Sequence, residues 1–126
     1  MKEITDPLTG DQCILVATDT GDLVMLDRRG KKLISASFGS GISDMEVIAY
    51  PEQVRNDIIL STAHGGVFIC DDDFIVQALL TRADSPFRHI IVTGKDPESC
   101  QCYSVSDHRV FYIEYRPCFM RKTRFY

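Results

Sequence analysis

The chain has 126 residues, of which 44% are hydrophobic and 25% charged, enough apolar content for a folded core and well outside the disordered class. Its net charge of −4, from 14 Lys and Arg against 18 Asp and Glu, argues against a general nucleic-acid binder, which needs a concentrated basic surface to displace phosphate counterions. No run of eighteen apolar residues and no basic start leading into an apolar stretch occurs, and the five cysteines follow no framework spacing. These features fit a cytoplasmic or nuclear chain in a reducing compartment, with no membrane partner.

In chain order, Glu3-Ile4 begins a short strand. Cys13 to Thr18 is an apolar run closed by a hydroxyl residue, Asp19-Thr20-Gly21-Asp22 is a polar turn, and Leu23 to Asp27 is a second apolar run closed by an acid. The short runs, their β-branched content and the turn glycine predict a β-hairpin. Lys32 to Phe38 then reads as a further strand after the polar turn at 28–31.

The same pattern returns 44 residues later. Asp44 to Tyr50 corresponds to the opening strand, Asp57 to Thr62 and Val67 to Asp71 form the hairpin around Ala63-His64-Gly65-Gly66, and Phe74 to Leu80 is the strand that follows. After the connection 81–87, a fainter third copy opens with Arg88 to Thr93. It continues with Gln101 to Ser106, a turn shortened by one residue at Asp107-His108-Arg109, Val110 to Glu114, and a last strand over 119–126. Several of these runs are apolar at nearly every position instead of alternating, which predicts sheets covered on both faces. Four strands per unit and three units, at 1–40, 41–84 and 85–126, make one domain with no flexible linker.

In length and layout these units resemble the blades of the WD40-type β-propeller, with Leu26-Asp27, Cys70-Asp71 and Ile113-Glu114 where that family closes a strand on Trp-Asp. The stretch from Leu26 to Leu33 resembles the quinoprotein-type propeller repeat almost equally. The sequence has no tryptophan and no Gly-His pair opening the units, so the family's His/Ser/Asp tetrad has no counterpart here. The resemblance implies an all-β fold of consecutive antiparallel four-stranded sheets in a propeller-like partial arc. Three such units leave terminal faces open, to be covered by remaining blades, another copy or a partner.

Several residue sets are of types that could carry chemistry. Asp19-Thr20-Gly21 after an apolar strand resembles the catalytic loop of retroviral-type aspartic proteases, where two loops pair carboxylates to activate water. The repeat places Ala63-His64-Gly65 at the same position, as an ordinary turn would be. Cys70, His89, Cys100, Cys102 and His108 are soft ligand types, but not in the spacing of a structural zinc site. Asp71-Asp72-Asp73 reads as a solvated turn, and Gly39-Ser40-Gly41 lacks the residues of a phosphate cradle.

The function expected is a non-catalytic protein-interaction scaffold with no cofactor, no metal and no small-molecule ligand. Its partners are one or more proteins or the remaining propeller blades. The candidate contact residues are Phe87, Arg88, Tyr115 and Arg116, aromatic and basic groups near strand ends. The alternative is a homodimeric retropepsin-like protease using Asp19. Arg116, Arg121, Lys122 and Arg124 crowd the last eleven residues as a protected edge strand would.

Overall fold

The computed structural model describes residues 1–6, 8–50, 52, 54–82, 87–96, 99–106 and 109–118. These form eleven strands and no helix: β1 Lys2–Thr5, β2 Gln12–Ala17, β3 Asp22–Leu26, β4 Lys32–Ser37, β5 Ile42–Tyr50, β6 Arg55–Thr62, β7 Gly66–Cys70, β8 Val76–Arg82, β9 His89–Asp96, β10 Ser99–Val105 and β11 Val110–Tyr115. Each antiparallel sheet is built from neighbours in sequence: β1-β2-β3-β4, β5-β6-β7-β8 and β9-β10-β11. The chain is all-β. The last strand expected in the third unit, 119–126, lies outside the described residues.

The 44-residue offset survives as register. Glu3 pairs with Ile14 and Ile14 with Leu26 in the first sheet; Val47 pairs with Ile58 and Ile58 with Cys70 in the second, every partner displaced by 44. In the third sheet β10 and β11 pair around the turn that has lost a residue, and a bulge between Gln101 and Cys102 shifts β9 against β10.

The turns repeat too. Asp27 Oδ1 accepts from the backbone N–H of Arg29 and Lys31, and 44 residues on Asp71 Oδ1 accepts from those of Asp73 and Ile75. The acid that closes each of the first two hairpins is thus a turn cap, satisfying amides before the next strand begins. Gly30 sits in this turn at φ 83°, and Phe74 takes the same place at φ 63°. The expectation that a strand begins at Phe74 is therefore corrected: the capped turn holds the chain to Ile75, and β8 starts at Val76.

Gly21 and Gly65 close the hairpins at φ 99° and 85°. At Gly21 a Cβ would also lie 2.6 Å from the Ser40 carbonyl oxygen, because the link to the second sheet crosses over the turn. Gly21→Ala is expected to lower stability by about 1–3 kcal/mol in urea unfolding, combining a left-handed backbone with a backbone collision. A change below a few tenths of that would mean the link at Ser40 is free to move away.

Each sheet has a rear face, toward the preceding sheet, and a forward face, toward the next. Between the first and second sheets, the forward side chains Ile4, Cys13, Leu15, Leu23 and Met25 meet the rear side chains Met45, Ile58, Leu60, Cys70 and Phe74. Between the second and third, Ile48, Tyr50, Ile59, Val67 and Ile69 meet Ile90, Cys100, Cys102, Ile113 and Tyr115. The second sheet is buried on both sides, which explains the unbroken apolar run in β6 and its buried pattern from Asn56 to Thr62. The opening strands lie side by side: Lys2 Nζ pairs with Glu46 Oε1 at 3.0 Å from β1 to β5, and Ile90 N–H donates to Asp44 Oδ2 at 2.7 Å from β9 to β5.

Candidate interaction surface

The four contact residues expected from sequence do not form one surface. Phe87 is 0% exposed and meets Phe111 edge-on, with centroids 5.2 Å apart, in the core between the second and third sheets. Tyr115 is buried in the same core. Its strand alternates, so Phe111, Ile113 and Tyr115 all point toward the second sheet. Phe87 and Tyr115 are thereby corrected from surface anchors to packing residues.

Arg88 and Arg116 are exposed but lie at opposite ends of the third sheet. Arg88 N–H donates to the Val105 carbonyl, whereas Arg116 follows Tyr115, the partner of Cys100. Val105 and Cys100 mark the two ends of one strand, about 17 Å apart at some 3.3 Å per residue.

A polar cluster is buried beside that core. Asp57, only 1% exposed, accepts from the Tyr50 hydroxyl at 3.1 Å and from the Cys118 N–H at 3.1 and 3.2 Å. The Tyr50 hydroxyl also lies 3.1 Å from the Cys100 thiol. Burial raises the Asp57 carboxyl above its ordinary range, opposed by the donors from Cys118 and Tyr50. Burial likewise raises the Tyr50 and Tyr115 hydroxyls.

Next to this, Asp72 accepts from both the backbone and side-chain amides of Asn56, whose Nδ2 also donates to the Thr5 carbonyl of the first sheet. Asp72 too is raised, mainly by burial. These groups tie chain segments together: Asp57 holds the residues after β11 against the second sheet, and Asn56 holds β1. Asp57 stands where the first repeat has Cys13 and the third Gln101, so the pattern of the repeat did not reveal it.

The remaining candidates resolve into local structure. Asp71 caps its turn while Asp72 turns to Asn56, so the three consecutive carboxylates diverge. Among the described residues, no group of three His, Cys, Asp or Glu side chains converges as metal ligands; His108 lies outside them. Burial pushes the Cys70 thiol up to about 12 and Cys102 to about 11, which keeps both protonated at neutral pH and suits packing. Asp19 and Thr20 are exposed in the β2–β3 turn, where the Thr18 and Thr20 hydroxyls lie 2.9 Å apart. A cleft of about 570 Å³ between the first two sheets is lined by Asp6, Leu33, Arg55, Asp72 and Asp73 among others.

What stands out is the pair of outer sheet faces. On the forward face of the third sheet, Ile91, Tyr103 and Tyr112 form one row across three strands, 51%, 37% and 51% exposed, with the two tyrosine rings 5.3 Å apart. On the rear face of the first sheet, Ile14 pairs with Leu26 and Val16 with Val24, all at least partly exposed. Their counterparts 44 residues on, Ile58, Cys70, Leu60 and Phe68, pack against the first sheet. The counterparts of Tyr103 and Tyr112 in the second sheet, Ile59 and Ile69, are 0% exposed. The sequence held this signal in the repeat alignment, but only the register reveals which positions end up uncovered.

No family model matches the sequence, and no curated protein matches it.

Proposed function

We propose that this chain is a protein-interaction module, a propeller-like arc of β-sheets whose two terminal faces recruit other polypeptide. One observation carries the reading: residues at repeat positions that are buried inside the arc are apolar and exposed at its ends. Large apolar rows on a sheet face mark contact sites in soluble proteins. The side-by-side placement of β1, β5 and β9 supports the arc, with each sheet following its neighbour around the opening strands. A cytoplasmic or nuclear setting fits the five free thiols.

The test is photocrosslinking in cells from a benzophenone amino acid placed at Tyr103 or at Val16, with Thr20 in the exposed turn as control. Both face positions are expected to capture polypeptide well above the control. Equal yields at all three positions would remove the reading.

A further inference from the structure

We propose that the cleft between the first and second sheets binds polypeptide, seating a lysine or arginine side chain among Asp6, Asp72 and Asp73 with its aliphatic stem against Leu33 and Val54. The site lies apart from the terminal sheet faces and stands or falls independently of them.

Charge is the first argument. The cleft has a volume of about 570 Å³, in the range of pockets that enclose ligands, and opens where the β1–β2 and β3–β4 turns approach the β5–β6 and β7–β8 turns. Three carboxylates and one cation, Arg55, line it, and among the described residues none of the four is in an ion pair. Asp72, 7% exposed, meets only the two amides of Asn56, while the Asp73 carboxylate at the rim accepts no hydrogen bond among the described residues. Burial raises the Asp72 carboxyl, and the Asn56 donors and Arg55 oppose that in part. A cation entering from outside supplies the missing charge through charge-assisted hydrogen bonds. The three acids do not converge as metal ligands, so the charge that suits them is carried on a stem and is not a bare ion.

The apolar lip is the second argument. Val54 holds φ 50° where the first unit has Gly10, and Phe74 holds φ 63° where it has Gly30. Both side chains are strained in that left-handed conformation. Phe74 is 4% exposed and fills the core between the two sheets, whereas Val54 is 53% exposed at the cleft, so no burial within the chain offsets its strain. Leu33 follows the same logic. It is the extra residue of the bulge opposite Met25 and Leu26 and is 43% exposed at the cleft; Gln77, at the same bulge 44 residues on, bonds Asp71 Oδ2 instead. At both positions the cleft carries an exposed apolar side chain where the other unit has a glycine or a turn-bonding glutamine.

The space is longer than one side chain. A second cleft of about 420 Å³ shares Asp6 and Leu33 with the first, and there Asp11 and Asp27 are balanced in number by Arg28 and Arg29. An extended peptide turns alternate side chains to one side. A basic residue therefore fits the acidic cleft and an uncharged polar residue two positions away fits the balanced one, whereas a free amine fills only the first.

The probe is the acetylated, amidated heptapeptide Ala-Leu-Arg-Leu-Gln-Leu-Ala, with citrulline in place of arginine as the uncharged control and spermidine as the free amine. Each is titrated into the isotope-labelled full chain, followed by NMR, at about 150 mM salt, which screens exposed charge pairs. The arginine peptide is expected to shift the amides of Leu33, Val54, Arg55 and Asp73, to leave Tyr103 on the third sheet unmoved, and to bind about tenfold or more tightly than either control. Asp6→Asn with Asp73→Asn keeps an acceptor for the Leu8 N–H and is expected to weaken the arginine peptide about fivefold or more without changing the citrulline peptide. Arg55→Gln removes the competing cation and is expected to tighten the arginine peptide. Val54→Gly keeps the left-handed backbone, removes the lip and is expected to weaken both peptides. Circular dichroism and cooperative thermal unfolding establish that each variant is folded, and if the double variant is not, Asp73→Asn alone, at an exposed position, gives the same comparison.

No saturable shift of the cleft amides with the arginine peptide would overturn the proposal. So would equal binding of the arginine and citrulline peptides, or an arginine peptide indifferent to the aspartate variants. Spermidine binding as tightly as the arginine peptide would overturn the polypeptide occupant and assign the cleft to a free amine.

Discussion

Replacing Ile59 by alanine is expected to destabilise the chain by about 2–5 kcal/mol, the range for removing most of a fully buried aliphatic side chain from a packed core. Ile59 is 0% exposed and lies in the middle of β6, in the sheet that is covered on both faces. Its repeat counterpart Leu15 is also 0% exposed, in the layer between the first and second sheets, and Leu15→Ala is expected to fall in the same range. Its other counterpart, Tyr103, is 37% exposed on an open face. In dilute chain, Tyr103→Ala is expected to cost about 1 kcal/mol or less, because an open face has no second layer for a cavity to form in.

The contrast tests the architecture more sharply than any one value. Urea unfolding of the three variants should place Ile59 and Leu15 together and Tyr103 well apart. Three similar losses would mean that the forward face of the third sheet is covered within the same chain, and the inferred open end would not exist. A loss at Tyr103 that grows with protein concentration would instead report association, since whatever binds only the folded form adds to its stability by mass action.

This gradient also shows what the amino-acid sequence carries and what it does not. Two repeated hairpins were legible from turn glycines, closing acids and a constant offset because each of these is a local device. Gly21 and Gly65 accept a left-handed backbone, and Asp27 and Asp71 cap the same turn amides. The unbroken apolar run from Ile58 to Leu60 announced a sheet buried on both sides, and the second sheet is that sheet.

What was not legible depends on direction. An aromatic residue at a strand end looks the same in sequence whether it points inward or outward. Tyr115 and Phe87 point inward, while Tyr103 and Tyr112, in strand interiors, point outward. Parity along β10 and β11, which pair without a break, distinguishes them, but the turn shortened by one residue shifts the counting between the two strands. The Phe74 turn misled for a related reason: a bulky residue in a left-handed conformation is rare, and its side chain is held in the core between the first two sheets.

Asp57 was hidden for a different reason, since it breaks the repeat instead of following it, and it carries the second large effect. Asp57→Asn is expected to gain stability relative to the parent chain as pH rises from about 4 to 7, while Asp57→Ala loses about 1–3 kcal/mol, its buried donors left without an acceptor. The sign follows from the direction of the shift. Burial raises the folded-state carboxyl above its ordinary value of 3.8, so between those two values the folded chain holds more proton than the unfolded one. The contribution is complete below the ordinary value and is lost as pH rises through the raised one. Once pH passes the raised value, the native state carries a buried charge, partly compensated by Tyr50 and Cys118.

Asparagine keeps an acceptor for the Cys118 N–H and removes the charge, so its advantage should appear only once Asp57 is ionised. Asp72, raised for the same reason, is untouched by the substitution and leaves its own slope in both proteins. Urea midpoints at pH 4 and pH 7 for the parent and both variants decide the matter. A difference between asparagine and parent that is constant with pH would show that Asp57 titrates as an ordinary surface carboxylate, and the segment at Cys118 would not be held by a buried charge.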